Sequence, residues 1–190
     1  ATAPQDVFRG VDRIDRFCTK AQEVDATVAH LNSPADLADA LRAYLQGDHA
    51  KGAIRMAPHP LLQGLDWSPW PDLCVVQGAA HEDDRVGLDV AHAGIAETGT
   101  LVLKSGPDCP SGLSFLPATN VVVLSAEAIH ETPEAMWAQL RRENDAHAVM
   151  PRALHWITGP SRTADIEQQL QLGVHGPKWL HIIILGSVHG

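Results

Sequence analysis

The sequence predicts an α/β fold: a three-layer arrangement with a mostly parallel sheet and helices on both faces. Three observations carry this. Runs such as Val121-Val122-Val123-Leu124 and Ile182-Ile183-Ile184-Leu185 are continuously apolar, which marks strands buried on both faces. Such runs recur between helical or loop segments, the rhythm of strand–helix–strand units. A chain of 190 residues, 45% apolar and 19% charged, is long enough to bury a core without staples.

Residues 6 to 31 read as one amphipathic helix. Val7, Val11, Ile14, Cys18 and Ala21 share a face, and Val24, Val28 and Leu31 continue it with a small drift. This divides the chain into an N-terminal helix, 1–32, and a single domain, 33–190. The apolar seam favours packing on that domain over pairing between chains, which a homo-oligomer would need. Ser33-Pro34 starts a second helix, because Ser33 can cap free N–H groups and Pro34 needs no N–H partner. That helix runs from Ala35 to about Gln46 and stops at Gly47.

Strands are expected at Ala53–Met56, Leu73–Val76, Ala93–Ala96, Thr100–Leu103, Asn120–Leu124, His155–Thr158 and Leu180–Leu185. Only Glu97-Thr98-Gly99 separates the third from the fourth, too little for a parallel crossover. They form an antiparallel hairpin, or one strand bent at Gly99. The stretch Ala57 to Pro71, rich in proline and holding Trp67 and Trp70, reads as a long ordered loop with a short helical turn. Thr132-Pro133 opens a helix with Met136, Trp137 and Leu140 on one face. Thr163 to Gln171 reads as a shorter helix.

A net charge of −9 and the absence of a basic cluster beyond Arg141-Arg142 disfavour nucleic acid. No apolar run approaches the ~20 residues of a membrane span. Cys18, Cys74 and Cys109 are odd in number and far apart, so a disulfide framework, a zinc ribbon or an iron–sulfur cluster is poorly supported. The pattern suits a reduced, cytoplasmic protein. Ala1 to Gln5 has no leader character, and the missing initiator Met leaves a leader open. Dinucleotide, P-loop and nucleophile-elbow motifs are absent, so no cofactor is expected in this chain.

Three segments carry polar groups that packing does not require. In Ile95–Leu103, Glu97 stands at a strand end beside Thr98 and Gly99, placed to act as base or nucleophile, or as a turn carboxylate accepting N–H bonds. In Thr158–Glu167, a strand meets a Gly-Pro break before an expected helix. Ser161, Arg162 and Thr163 could there hold an anion with the helix N–H groups, or Arg162 could pair with Asp165 or Glu167. In Gly173–Pro177, a tight loop presents His175 beside Gly176, for proton transfer or as a structural histidine. A zinc site from His155, His175 and His181 has less support. Nothing near Cys109 in sequence lowers its pKa.

These blocks, with Leu116-Pro117 before Asn120–Leu124, occur in an order that resembles the lactate utilization (LUD) domain family over roughly residues 50 to 186. The resemblance implies a role in oxidising L-lactate to pyruvate, in a three-component system whose other two members carry iron–sulfur clusters. It also implies a fold similar to ribose-phosphate isomerases and coenzyme A transferases. In those transferases a Glu at a strand end accepts the acyl group, a place similar to that of Glu97. His92 stands where the resemblance leads one to expect an acidic or aromatic residue.

The leading expectation is a component that binds a small carboxylate metabolite and acts with iron–sulfur partner subunits. Thr98, Gly99, Ser161, Arg162, Thr163, Asp165 and Gly176 would bind the anion, with Glu97 and His175 catalytic. The alternatives are a free-standing transferase- or isomerase-type enzyme with Glu97 as nucleophile or base, and a non-catalytic assembly or regulatory module. The three loops are expected to meet in one cleft where the strands of the sheet end.

Overall fold

The computed structural model describes residues 12–45, 53–71, 73–145, 151–164, 170–172 and 176–186. The chain opens with α1 (Arg13–Glu23), β1 (Thr27–Leu31), α2 (Leu37–Leu45), β2 (Ile54–Met56), α3 (Pro60–Gln63), β3 (Val75–Gln77) and β4 (Val86–Val90). Next come β5 (Ala93–Ile95), β6 (Thr100–Lys104), β7 (Thr119–Ser125), β8 (Ile129–His130) and α4 (Pro133–Asp145). It closes with β9 (Leu154–Ile157), β10 (Arg162–Ala164), β11 (Leu170–Leu172) and β12 (Trp179–Leu185).

Among the described residues, six strands form a parallel sheet in the order β1-β12-β7-β4-β2-β3. Its two central apolar runs divide their side chains between two cores, as a period of two requires. Val122, Leu124, Ile182 and Ile184 meet Ile14, Phe17 and Ala21 of α1 on one face, together with Leu101, Leu103 and Ile129. Val121, Val123 and Ile183 meet Leu37, Leu41 and Leu45 of α2 and Leu62 of α3 on the other. A second sheet, β8-β5-β6-β9, lies over the α1 face, and α4 packs Met136 and Leu140 on Ala93, Ile95 and Val102. This is the expected parallel sheet with helices on both faces. No helix among the described residues is long and apolar enough to cross a membrane.

The first helix is shorter than its periodicity predicts. Asp12 caps it by accepting from Ile14 N–H at 2.9 Å, and Asp25, at φ 62°, turns the chain out after Glu23. Ala26 N–H then bonds Ala21 C=O at 3.1 Å, and Thr27–Leu31 pairs along its length with β12. Thr27 and Val28 are β-branched and suit a strand. Residues 27–31 therefore belong to the central sheet, and residues 6–11 lie outside the described residues. Ile14 and Ala21 of the expected seam are buried, and so is Phe17, which the seam passed over for the half-buried Cys18.

β4 was not expected, because Gly87 and Asp89 interrupt its apolar run. Both have tertiary reasons. A Cβ at Gly87 would stand 2.5 Å from Leu113 O, so only glycine lets that loop close on the strand. Asp89 is buried and accepts from Val90 N–H at 2.8 Å and from Ser114 Oγ at 3.1 Å.

The helix expected over Thr163–Gln171 is absent at its described ends. Arg162–Ala164 and Leu170–Leu172 pair as an antiparallel ribbon. Leu170 and Leu172 alternate with Gln171, which is the period of a strand. The β5–β6 hairpin forms as expected, with Gly99 at φ 66° in its turn.

Candidate functional site

The topology of the central sheet singles out one edge. From β2 the chain steps outward to β3, then returns to the other side of β2 for β4, β7 and β12. The order reverses between β2 and β4, and open α/β sheets leave a ligand crevice outside the carboxyl ends of strands at such a point. A cavity of about 550 Å³ lies there. His59 reaches it from the start of α3, just beyond β2, and Val90, Ala91 and His92 from the end of β4. Lys104 and the following loop to Cys109 close it from the end of β6, and Pro151 and Arg152 from the segment before β9.

Local hydrogen bonds fix this wall. His59 Nδ1 accepts from Leu61 N–H at 3.2 Å as the cap of α3. His92 N–H bonds Val102 C=O at 2.9 Å. Ser105 exchanges two bonds with Ala153, at 3.0 and 2.9 Å, and Gly106 and Cys109 exchange two at 3.2 Å. The Cys109 thiol donates to Val90 C=O at 3.7 Å. Burial pushes that thiol up to about 12, with Asp89 adding to the rise, so it stays protonated and is a poor nucleophile. Burial likewise raises Asp89 above the usual carboxylate range.

His92 has a carboxylate neighbour from α4. Its Nε2 lies 3.3 Å from Glu143 Oε2. Burial lowers its pKa, Glu143 opposes that shift, and Lys104 adds to it. His59, His92, Lys104 and Arg152 line the cavity together with one acidic residue, Asp108. In a chain of net charge −9, this is a local excess of cationic and protonatable groups, suited to a small anion.

The residues singled out in the sequence lie elsewhere. Glu97 and Thr98 are exposed at the β5–β6 turn, where a Cβ at Gly99 would stand 2.4 Å from Ala21 N. Thr98 Oγ1, Thr100 Oγ1 and Thr158 Oγ1 form a hydroxyl chain with steps of 2.7 Å. Ser161 N–H donates to Pro177 C=O at 2.8 Å, and Gly176 packs against the Ser161 side chain. Arg162 forms an ion pair with Asp25. Thr163 lies in β10, while Asp165 and His175 lie outside the described residues.

The Glu97 turn thus meets the Thr158 segment, and that segment meets Gly176. Their edge differs from expectation. Asp25 precedes β1, Pro177 precedes β12, and Lys178 N–H bonds Ala118 C=O just before β7. These loops gather at the amino edge of the parallel sheet, because β5, β6 and β9 belong to the second sheet. The structure also withdraws the helix start expected behind Arg162, since Arg162 opens a strand.

Of the three histidines in the zinc reading, His175 lies outside the described residues. His155 of β9 bonds Ser111 Oγ at 2.8 Å, whereas His181 of β12 is stacked on Tyr44. Among the described residues, no group of three His, Cys, Asp or Glu side chains could hold a metal ion. His92 and Cys109 drew notice in the sequence, but their meeting with His59, Lys104 and Arg152 did not, because the lining comes from four separate loops. A further local signal was Asp89, a carboxylate inside an apolar run.

Comparison with known proteins agrees with this fold. Residues 14–185 match the model of the LUD domain. The chain is 31% identical to lactate utilization protein C of Anoxybacillus flavithermus over 201 aligned positions, covering 96% of this chain and 86% of that protein. It is 35% identical over 104 residues to lactate utilization protein C of a Geobacillus species, and 39% identical over 98 residues to that of Bacillus subtilis. In these two matches the chain spans only 43% and 40% of the relative's length. A crystal structure of a DUF162 family protein from Deinococcus radiodurans superposes with a TM-score of 0.63 at 25% identity, covering 92% of this chain and 96% of that one. From α1 to the end of β12, in sequence as in topology, the chain belongs to the LUD domain family.

Proposed function

We propose that this chain is a component of a lactate utilization system and binds a small carboxylate, lactate or pyruvate, in the crevice at the carboxyl ends of β2 and β4. One observation carries the reading: Lys104, Arg152, His59 and His92 gather around a cavity at the switch point of the sheet. The names of the relatives support the metabolic setting. Lys104 and Arg152 would hold the carboxylate through charge-assisted hydrogen bonds. A three-carbon acid fills only part of about 550 Å³. The remaining space would admit a second reactant, which suits a protein acting with iron–sulfur partner subunits. Calorimetric titration with pyruvate tests the site. Replacing Lys104 and Arg152 together by Ala should weaken binding roughly tenfold or more, about 1.4 kcal/mol. Equal affinity in the variant would remove the crevice from consideration.

A second reading is favoured by the hydroxyl chain that ties the Glu97 turn to the Thr158–Arg162 segment. Here the chain is a transferase-type enzyme acting alone, with Glu97 as nucleophile or base and the carboxylate near Arg162. Turnover by the isolated chain that disappears in Glu97→Gln would establish it. Activity that appears only with iron–sulfur partners and survives Glu97→Gln would dismiss it.

A further inference from the structure

We propose that His92 is the group through which the crevice takes up a proton when a small carboxylate binds, an inference that rests on the carboxylate reading above. The placement comes first. His92 sits just beyond β4 at the switch point, its backbone fixed to Val102. Its half-buried ring lines the crevice and also a neighbouring cavity of about 360 Å³. Glu143 Oε2 of α4 lies 3.3 Å from Nε2, and Glu143 Oε1 accepts from Gln139 Nε2 at 3.0 Å. Nδ1 has no hydrogen bond among the described residues. A ring with a carboxylate beside one nitrogen and the cavity wall as its setting is placed to take up a proton there.

The surrounding charges set its state. Glu143 favours the protonated ring, while burial and Lys104 disfavour it. His130 of β8 and Glu127 share the neighbouring cavity, and Arg152, Asp108 and His59 share the crevice. The balance lies below the ordinary histidine value, which favours the neutral ring in the free protein. An opposite charge within ~4–6 Å moves a pKa by about 1–3 units toward the charged form. A bound carboxylate therefore draws a proton onto His92, between itself and Glu143.

The other crevice groups are less able to do this. Lys104 and Arg152 are already charged at neutral pH. His59 uses Nδ1 to accept from Leu61 N–H, and a proton there would break the cap of α3. Asp89 is 1% exposed and sealed by Val90 and Ser114.

The test is calorimetry of the full chain with pyruvate at pH 7, in two buffers of different ionisation enthalpy. Wild type should take up protons on binding pyruvate, and its affinity should rise from pH 8 to pH 6. His92→Asn should bind with uptake below about one tenth of a proton, and Glu143→Gln with an intermediate value. The His92 ring resonance, titrated in wild type with and without pyruvate, gives the same answer without any variant. Its midpoint should move up on binding. Pyruvate binding with no buffer dependence, or uptake unchanged in His92→Asn, overturns the role of His92 while leaving the carboxylate site standing. No pyruvate binding by wild type overturns both.

Discussion

At the scale of single residues, burial sets the chemistry of side chains that look titratable or reactive in the sequence. His181 is stacked on Tyr44 with ring centroids 3.8 Å apart, and its Nδ1 lies 2.7 Å from Thr27 Oγ1. Burial pulls its pKa down to about 4, below the ordinary 6.5. The unfolded chain then binds more protons than the folded one between these values. Stability from this site is full above pH ~6.5 and falls as pH drops toward 4, by on the order of 3 kcal/mol. Urea denaturation at a series of pH values should show that loss, and His181→Asn should flatten it; an unaltered slope in the variant would assign the loss to other groups. Cys109, pushed up to about 12, should resist iodoacetamide at pH 8 while the exposed Cys74 reacts, as mass spectrometry can read. Gly99→Ala places a methyl 2.4 Å from the Ala21 nitrogen, at a φ of 66° that L-residues avoid. It should cost roughly 2–4 kcal/mol, measurable by denaturant unfolding.

At the scale of elements, α1 is tied to the sheet by Phe17, buried among Leu124, Ile129 and the α1 residues Ile14 and Ala21. Phe17→Ala should destabilise the fold by about 3–5 kcal/mol in chemical denaturation. A loss under 1 kcal/mol would mean that α1 is not part of the cooperative core. Elements that declare themselves locally were legible in the sequence. β7 and β12 are continuous apolar runs, and the four residues between β5 and β6 allow little except a hairpin. β1 was read as helix because Val24, Val28 and Leu31 keep a helical spacing across the Asp25 turn. β4 was missed because Gly87 answers to Leu113 and Asp89 to Ser114, partners about 25 residues away. The candidate site divides the same way. That the Glu97, Ser161 and Gly176 segments lie close was legible in their motifs. The edge they occupy was not, because it depends on β5, β6 and β9 leaving the parallel sheet.

At the scale of the whole molecule, two polar regions stand at opposite edges of one parallel sheet. The amino edge holds the hydroxyl chain and the Arg162–Asp25 pair, whose cation is already answered by a carboxylate. The carboxyl edge holds a cavity with cationic groups in excess, at the point where the strand order reverses. In the proposed function the carboxylate metabolite binds at the second of these. Backbone amide NMR of the full chain, titrated with pyruvate, tests it most directly. Saturable shifts are expected at His59, Val90 to His92, Lys104 to Gly106, Asp108, Cys109 and Arg152, with Thr98, Thr100, Ser161 and Arg162 unmoved. Saturable shifts confined to Thr98, Thr100, Ser161 and Arg162, with the crevice amides unmoved, would contradict it.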